Sequence, residues 1–144
     1  MQLPKITCYN PNIPVPLFYF YILSKGLNSG KPLDQPCPNC FIAVCDSKKD
    51  RDRFYWLCYS LWQSRSIEHH LIGSVIPFIR ISIYRAILSK AFKSSQVHAV
   101  YFDHLVRLMI QHEAKAKAIS TNLAQRKALL QKGIRYCLAS HNNL

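Results

Sequence analysis

Carboxylates are scarce in this chain. Its 144 residues carry seven Asp and Glu against nineteen Lys and Arg, a formal charge of +12. So few acids leave little material for the paired carboxylates of a hydrolase or the acidic metal site of a nuclease. Asp46, Asp50 and Asp52 do cluster, but in DSKKDRD, where they balance lysines and arginines and offer Asp50 or Asp52 as N-cap of the next helix. A Gly-x-Ser-x-Gly elbow is also missing. Cys45, Cys58 or Cys137 as a nucleophile needs a histidine that only the fold can supply. Gly26, Gly30 and Lys31 lack the spacing and the following Ser or Thr of a phosphate-cradling loop. No reaction is legible, and the chain reads as a non-enzymatic protein.

Long apolar runs are absent too. Val15–Leu23 is strongly apolar, but a bilayer-spanning helix needs ~20 such residues. The opening MQLPKITCYNPN has one lysine, an early proline and no apolar run of signal-peptide type. These features lead us to expect a cytoplasmic protein without membrane contact, its six cysteines mostly reduced. Internal repeats and low-complexity segments are missing as well.

What is present is a globular composition, 49% hydrophobic and 12% aromatic. The pattern predicts an α+β fold: a small β-sheet with packed helices over residues 1–95, then a long helical arm over 96–144. A short strand is expected around Ile6–Tyr9. Val15–Leu23 is expected as a strand buried on both faces, with a helix as the competing reading. Gly26 to Pro38 holds two glycines and three prolines and is a loop. Phe41–Cys45 should be a strand. Phe54, Leu57, Cys58, Leu61 and Trp62 fall on one helical face, with Tyr55, Tyr59 and Gln63 nearer the other. Ile67–Ile72 suggests a short helical turn, broken by Gly73-Ser74. Val75–Ile81 is β-favouring, with Pro77 placing it at an edge, bulge or bend. Beyond it a helix is predicted over Ile83–Phe92, a break near Ser94-Ser95, and a second helix from Gln96 to about Lys132. Leu105, Leu108, Ile119, Leu123 and Leu130 lie near heptad positions of that helix, with Ala116 on the seam and His112 and Arg126 interrupting it. Gly133 is the natural C-cap, leaving Ile134–Ala139 as a further short turn or helix.

The charge is unevenly spread. Residues 1–77 carry eight basic and five acidic residues, net +3; residues 78–144 carry eleven basic residues against Asp103 and Glu113, net +9. An anionic partner fits this, nucleic acid first, an acidic protein or anionic membrane second. Lys25, Lys31, Arg80 and Arg85 flank the expected strands, with Asn28, Ser29 and Tyr84 nearby, and are the first candidates to contact DNA. Along the arm, Lys115, Lys117, Arg126, Lys127, Lys132 and Arg135 could lie on a duplex, cover an acidic partner or face water. Cys37-Pro-Asn-Cys40 is the sharpest metal-like feature, since a C-x2-C turn can point two thiolates at one zinc ion. The close second pair of a four-cysteine site is lacking, leaving Cys37, Cys40 and one of His69 or His70 as the zinc alternative to plain reduced cysteines. Adjacent histidines on a helix point ~100° apart, so His69-His70 reads as a surface pair.

FIAVC–DSKKDRDR–FYWLCYSLWQSRSIEHHLIGSVIPFIRIS, running from Phe41 to Ser82, resembles the closing pattern of target-recognition domains in the DNA-specificity subunits of type I restriction-modification systems. Lys25-Gly26…Ser29-Gly30-Lys31 looks like the Gly-rich opening of such a domain. Leu123…Lys127…Leu130…Lys132 is similar to the family's spacer helix. The resemblance covers about residues 18–135. It implies sequence-directed DNA binding by half of a two-domain subunit, with a homodimer through the C-terminal helix restoring the pair. The chain also looks like small uncharacterised proteins of Bacteroidota mobile elements. That likeness leaves room for a mobile-element adaptor whose basic arm docks on an acidic protein.

Overall fold

Side-chain alternation decides which face of a sheet meets the core. The structure, a computed structural model, describes residues 2–141, the side chains of 137–141 excepted. The side chain of Cys137, a candidate nucleophile, therefore lies outside the described residues, whereas Ile134–Ala139 is helical and continuous with the last helix, Ala99–His141. The fold is α+β. Four strands, β1 (Lys5–Cys8), β2 (Tyr19–Leu23), β3 (Pro32–Leu33) and β4 (Cys40–Val44), form one antiparallel sheet in the order β1-β4-β2-β3. The register sets Ile6 and Phe20 on either side of Ala43, and Ile22 against Phe41. These residues share one face and are buried in the main core. Tyr21, Ile42 and Cys40 take the other face and form a smaller cluster with Tyr9, Tyr19 and Leu33.

β2 is a strand, buried on both faces at its centre, but shorter than the expected Val15–Leu23. Val15 and Leu17 are exposed. The cause is Pro16, which has no N–H for a ladder and restricts the residue before it. Val75–Ile81 also forms no strand. Ile72 and Phe78 exchange backbone hydrogen bonds of 2.9 and 2.8 Å, closing a loop that leaves Val75 and Ile76 in solvent.

Helix α1 (Lys48–Gln63) starts at Ser47, not at Asp50 or Asp52. The Ser47 hydroxyl accepts from the Asp50 backbone N–H at 3.1 Å and donates to its carboxylate at 2.9 Å. Asp50 thus sits three residues inside the helix, in its first turn, where its carboxylate holds the capping hydroxyl and complements the helix dipole. The expected two-faced helix is corrected as well, because Arg53 to Cys58 are all buried. Phe20 packs edge-on to Tyr55, Phe54 lies against Phe92, and Arg53 pairs with Asp103 at 2.8 Å. α1 is therefore covered on several sides, which one-face periodicity cannot show. A single 3-10 turn, Glu68–His70, follows where a short helical turn was expected.

α2 (Ile81–Val97) runs through the expected break near Ser94-Ser95. The Ser95 hydroxyl donates to the Phe92 carbonyl at 2.8 Å, satisfied inside the helix instead of ending it. The break falls at His98, and α3 (Ala99–His141) then continues past Gly133, which keeps helical backbone and is no C-cap. The chain divides into two units: residues 1–106, which hold the core, and residues 107–144. This division falls later than 95/96, because Val106 at the start of α3 is buried in the first unit.

Candidate nucleic-acid interface

A turn in the chain from Ser24 to Lys31 builds one end of the first unit. Gly26 and Gly30 adopt φ of +101° and +92°, and the Ser29 N–H and hydroxyl both bond the Gly26 carbonyl, at 3.0 and 2.7 Å. Gly30 faces the buried Ile67, whose Cδ1 would lie 2.4 Å from a Cβ there. Tyr84, fully buried on α2, donates from its hydroxyl to the Gly30 carbonyl at 3.3 Å. The segment before α2 clips onto this turn: Gly26 N–H to Pro77 O at 2.7 Å, and Ile79 N–H to Ser24 O at 3.0 Å. Lys25 thereby bridges Phe78, two residues before Arg80, the N-cap of α2. The fold brings Lys25 and Arg80 to one junction. Both are exposed, and neither side chain has a hydrogen-bonding or anionic partner among the described residues.

Lys31 and Arg85 are placed differently. The Lys31 ammonium sits 4.9 Å from the centroid of the Trp62 ring, a cation–π contact that turns it toward α1. The Arg85 guanidinium donates to the Ile6 carbonyl on β1. β1 is an edge strand, and Arg85 caps a carbonyl there. Two of the four expected contact residues thus stand at the junction, and two have structural partners.

Lys90 and Lys93 were not among the expected residues. Both lie on the exposed side of α2 with Ser82, Ala86 and Ser94. Residues 69–102 contain no Asp or Glu at all, so this surface carries uncompensated positive charge. That acid-free run is legible in the sequence and could have pointed to α2 directly.

Three buried cysteines, Cys40, Cys45 and Cys58, are held as thiols. Cys40 donates from Sγ to the Cys37 carbonyl at 3.0 Å, and burial pushes its pKa up to about 11. Burial likewise holds Cys45 and Cys58 at about 12, far above the range where a thiol becomes a nucleophile. No group of three or more His, Cys, Asp or Glu that could hold a metal ion occurs among the described residues. Cys37 and Cys40 are close to each other, but His69 and His70 are exposed and complete no site with them.

On the face of the sheet opposite the main core, Tyr21 packs edge-on between Tyr9 and Tyr19, with centroids 5.0 and 5.4 Å away. Burial, with Tyr19 and Tyr9 alongside, pushes its hydroxyl up to about 12. A shallow cavity of about 410 Å³ lies beside this cluster, lined by Lys5, Thr7, Tyr9, Ile13, Ile42 and Val44 among others. Among the described residues no helix is long and apolar enough to cross a membrane.

The model of a family described as "Family of unknown function (DUF6943)" matches the chain over residues 6–135. No curated protein and no solved structure matches the chain.

Proposed function

The chain belongs to the DUF6943 family, and for it we propose a non-enzymatic DNA-binding role, with Lys25, Arg80, Lys90 and Lys93 meeting the phosphate backbone. One observation carries this reading. The junction and the exposed side of α2 present cations without counter-charges: Lys25 on the turn, and Arg80, Lys90 and Lys93 in a stretch of 34 residues (69–102) free of carboxylates. Such a surface gains counterion-release free energy on a polyanion and has no internal partner to lose. The resemblance to target-recognition domains of restriction-modification specificity subunits supports the same reading, because it covers the strand, helix and loop that build the junction. Lys31 and Arg85 then shape the interface by holding α1 and β1, and Lys25 and Arg80 do the touching.

The test is fluorescence anisotropy with a random-sequence duplex at low and physiological salt. Log K is expected to fall linearly with log salt, by ~0.9 per phosphate contacted. A Lys25→Ala/Arg80→Ala double variant should flatten that slope by about 2 and weaken binding on every sequence alike. Absence of binding at low salt sinks the proposal. A slope unchanged in the double variant moves the contact surface away from the junction.

A further inference from the structure

We propose that residues 107–136 of α3 dock an acidic amphipathic helix of another protein, apolar stripe against apolar stripe. This surface is separate from the DNA-binding one and does not rest on it. Met109, Ala116, Leu123 and Leu130 recur every seven residues, and His112, Ile119 and Arg126 stand four residues before the last three of them. That is a coiled-coil seam, with Leu108 and Leu129 on one flank and Ile134 on the other. The stripe is uncovered: Ile119, Leu123, Leu130 and Ile134 are 58–67% exposed. Over residues 107–144 the chain has seven Lys and Arg against the single acid Glu113. Glu113 already faces Lys117, at 3.5 Å on the same helix.

Three occupants can be weighed by what each satisfies. A DNA duplex would neutralise the lysines but leave Ile119, Leu123 and Leu130 wet. A second copy would cover the apolar stripe but set Arg126, Lys115 and Lys127 against more of the same charge, with one acid per chain in compensation. A partner helix with an apolar seam flanked by Asp or Glu satisfies both, since charges beside the seam choose the partner in coiled coils. Charge complementarity therefore selects the acidic helix. The arm offers about 1.5 Å of seam per residue, enough for several heptads.

The experiment titrates the full chain against two labelled helical peptides with the same Ile/Leu seam, one flanked by glutamates and one by lysines. The glutamate peptide should bind about tenfold or more tighter, and Ile119→Asp/Leu123→Asp should abolish its binding. A Lys115→Glu/Lys127→Glu variant should reverse the preference, an outcome that misfolding could not produce. Equal affinity for both peptides, or binding indifferent to the Ile119/Leu123 change, overturns the proposal. So does sedimentation showing a dimer of the chain alone that Ile119→Asp/Leu123→Asp dissociates, because the seam's occupant is then a second copy. Displacement of the glutamate peptide by a random-sequence duplex that itself binds the arm at physiological salt would also overturn it, in favour of nucleic acid.

Discussion

Gly30 is the position where one atom decides most. Its backbone lies at φ +92°, and an added Cβ would sit 2.4 Å from Ile67 Cδ1 and 3.0 Å from Cγ2. Ile67 is buried and cannot swing into solvent. Gly30→Ala should therefore combine backbone strain with overpacking and cost roughly 2–4 kcal/mol. Gly26 has φ +101° but open space around its Cβ position, so Gly26→Ala should show strain alone, roughly 1–2 kcal/mol. Urea unfolding followed by tryptophan fluorescence measures both. Equal losses would mean that Ile67 repacks without penalty. The same pair separates a turn that merely bends from one fastened to the core, because Gly30 also accepts the Tyr84 hydrogen bond.

At the scale of elements, α2 has two duties that Arg85 and Arg80 divide. Arg85 reaches across to Ile6 on the edge strand, whereas Arg80 stands at the helix start without a partner. Arg85→Ala should lower stability by about 0.5–1.5 kcal/mol and raise the tendency to aggregate, as the edge of β1 loses its cap. DNA affinity should hardly change. A variant with native stability and weakened DNA binding would return Arg85 to the contact surface. The sequence alone could not separate these two arginines, since composition shows a charge but not where its side chain ends. The elements themselves were largely legible, because Phe20–Ile22 and Phe41–Ala43 are short apolar runs between turn residues. What was missed has local causes: Pro16 delays the start of β2 to Tyr19, Ser47 captures Asp50 and starts α1, and Ser95 bonds back into α2. Each depends on one polar atom or one missing N–H, to which hydrophobic periodicity is blind. Of the proposed contact residues, Lys25 and Arg80 are suggested by their position beside the expected strands, whereas the shared exposed side of Lys90 and Lys93 shows only once α2 is in place.

Across the whole molecule, apolar burial is concentrated in residues 1–106. Every long apolar residue described from Arg107 onward is exposed. A chain ending after Val106 should therefore melt cooperatively within a few degrees of the full protein, with calorimetry as the check. Loss of cooperative unfolding in the shortened chain would show that the arm holds the core together. Lys25, Arg80, Lys90 and Lys93 are all retained in it, so DNA binding should survive while capture of an acidic helix disappears. The Arg85–Ile6 bond has a further consequence, one of timing. Its partners are 79 residues apart in the chain, and β1 must meanwhile pair with β4, more than thirty residues downstream. During synthesis β1 leaves the ribosome before β4, its partner in the sheet, and the cap for its outer edge emerges only once α2 has been made. Until then that edge is open to any passing chain, so a slower passage through residues 40–90 would be expected to lengthen the exposure and lower the yield of native protein.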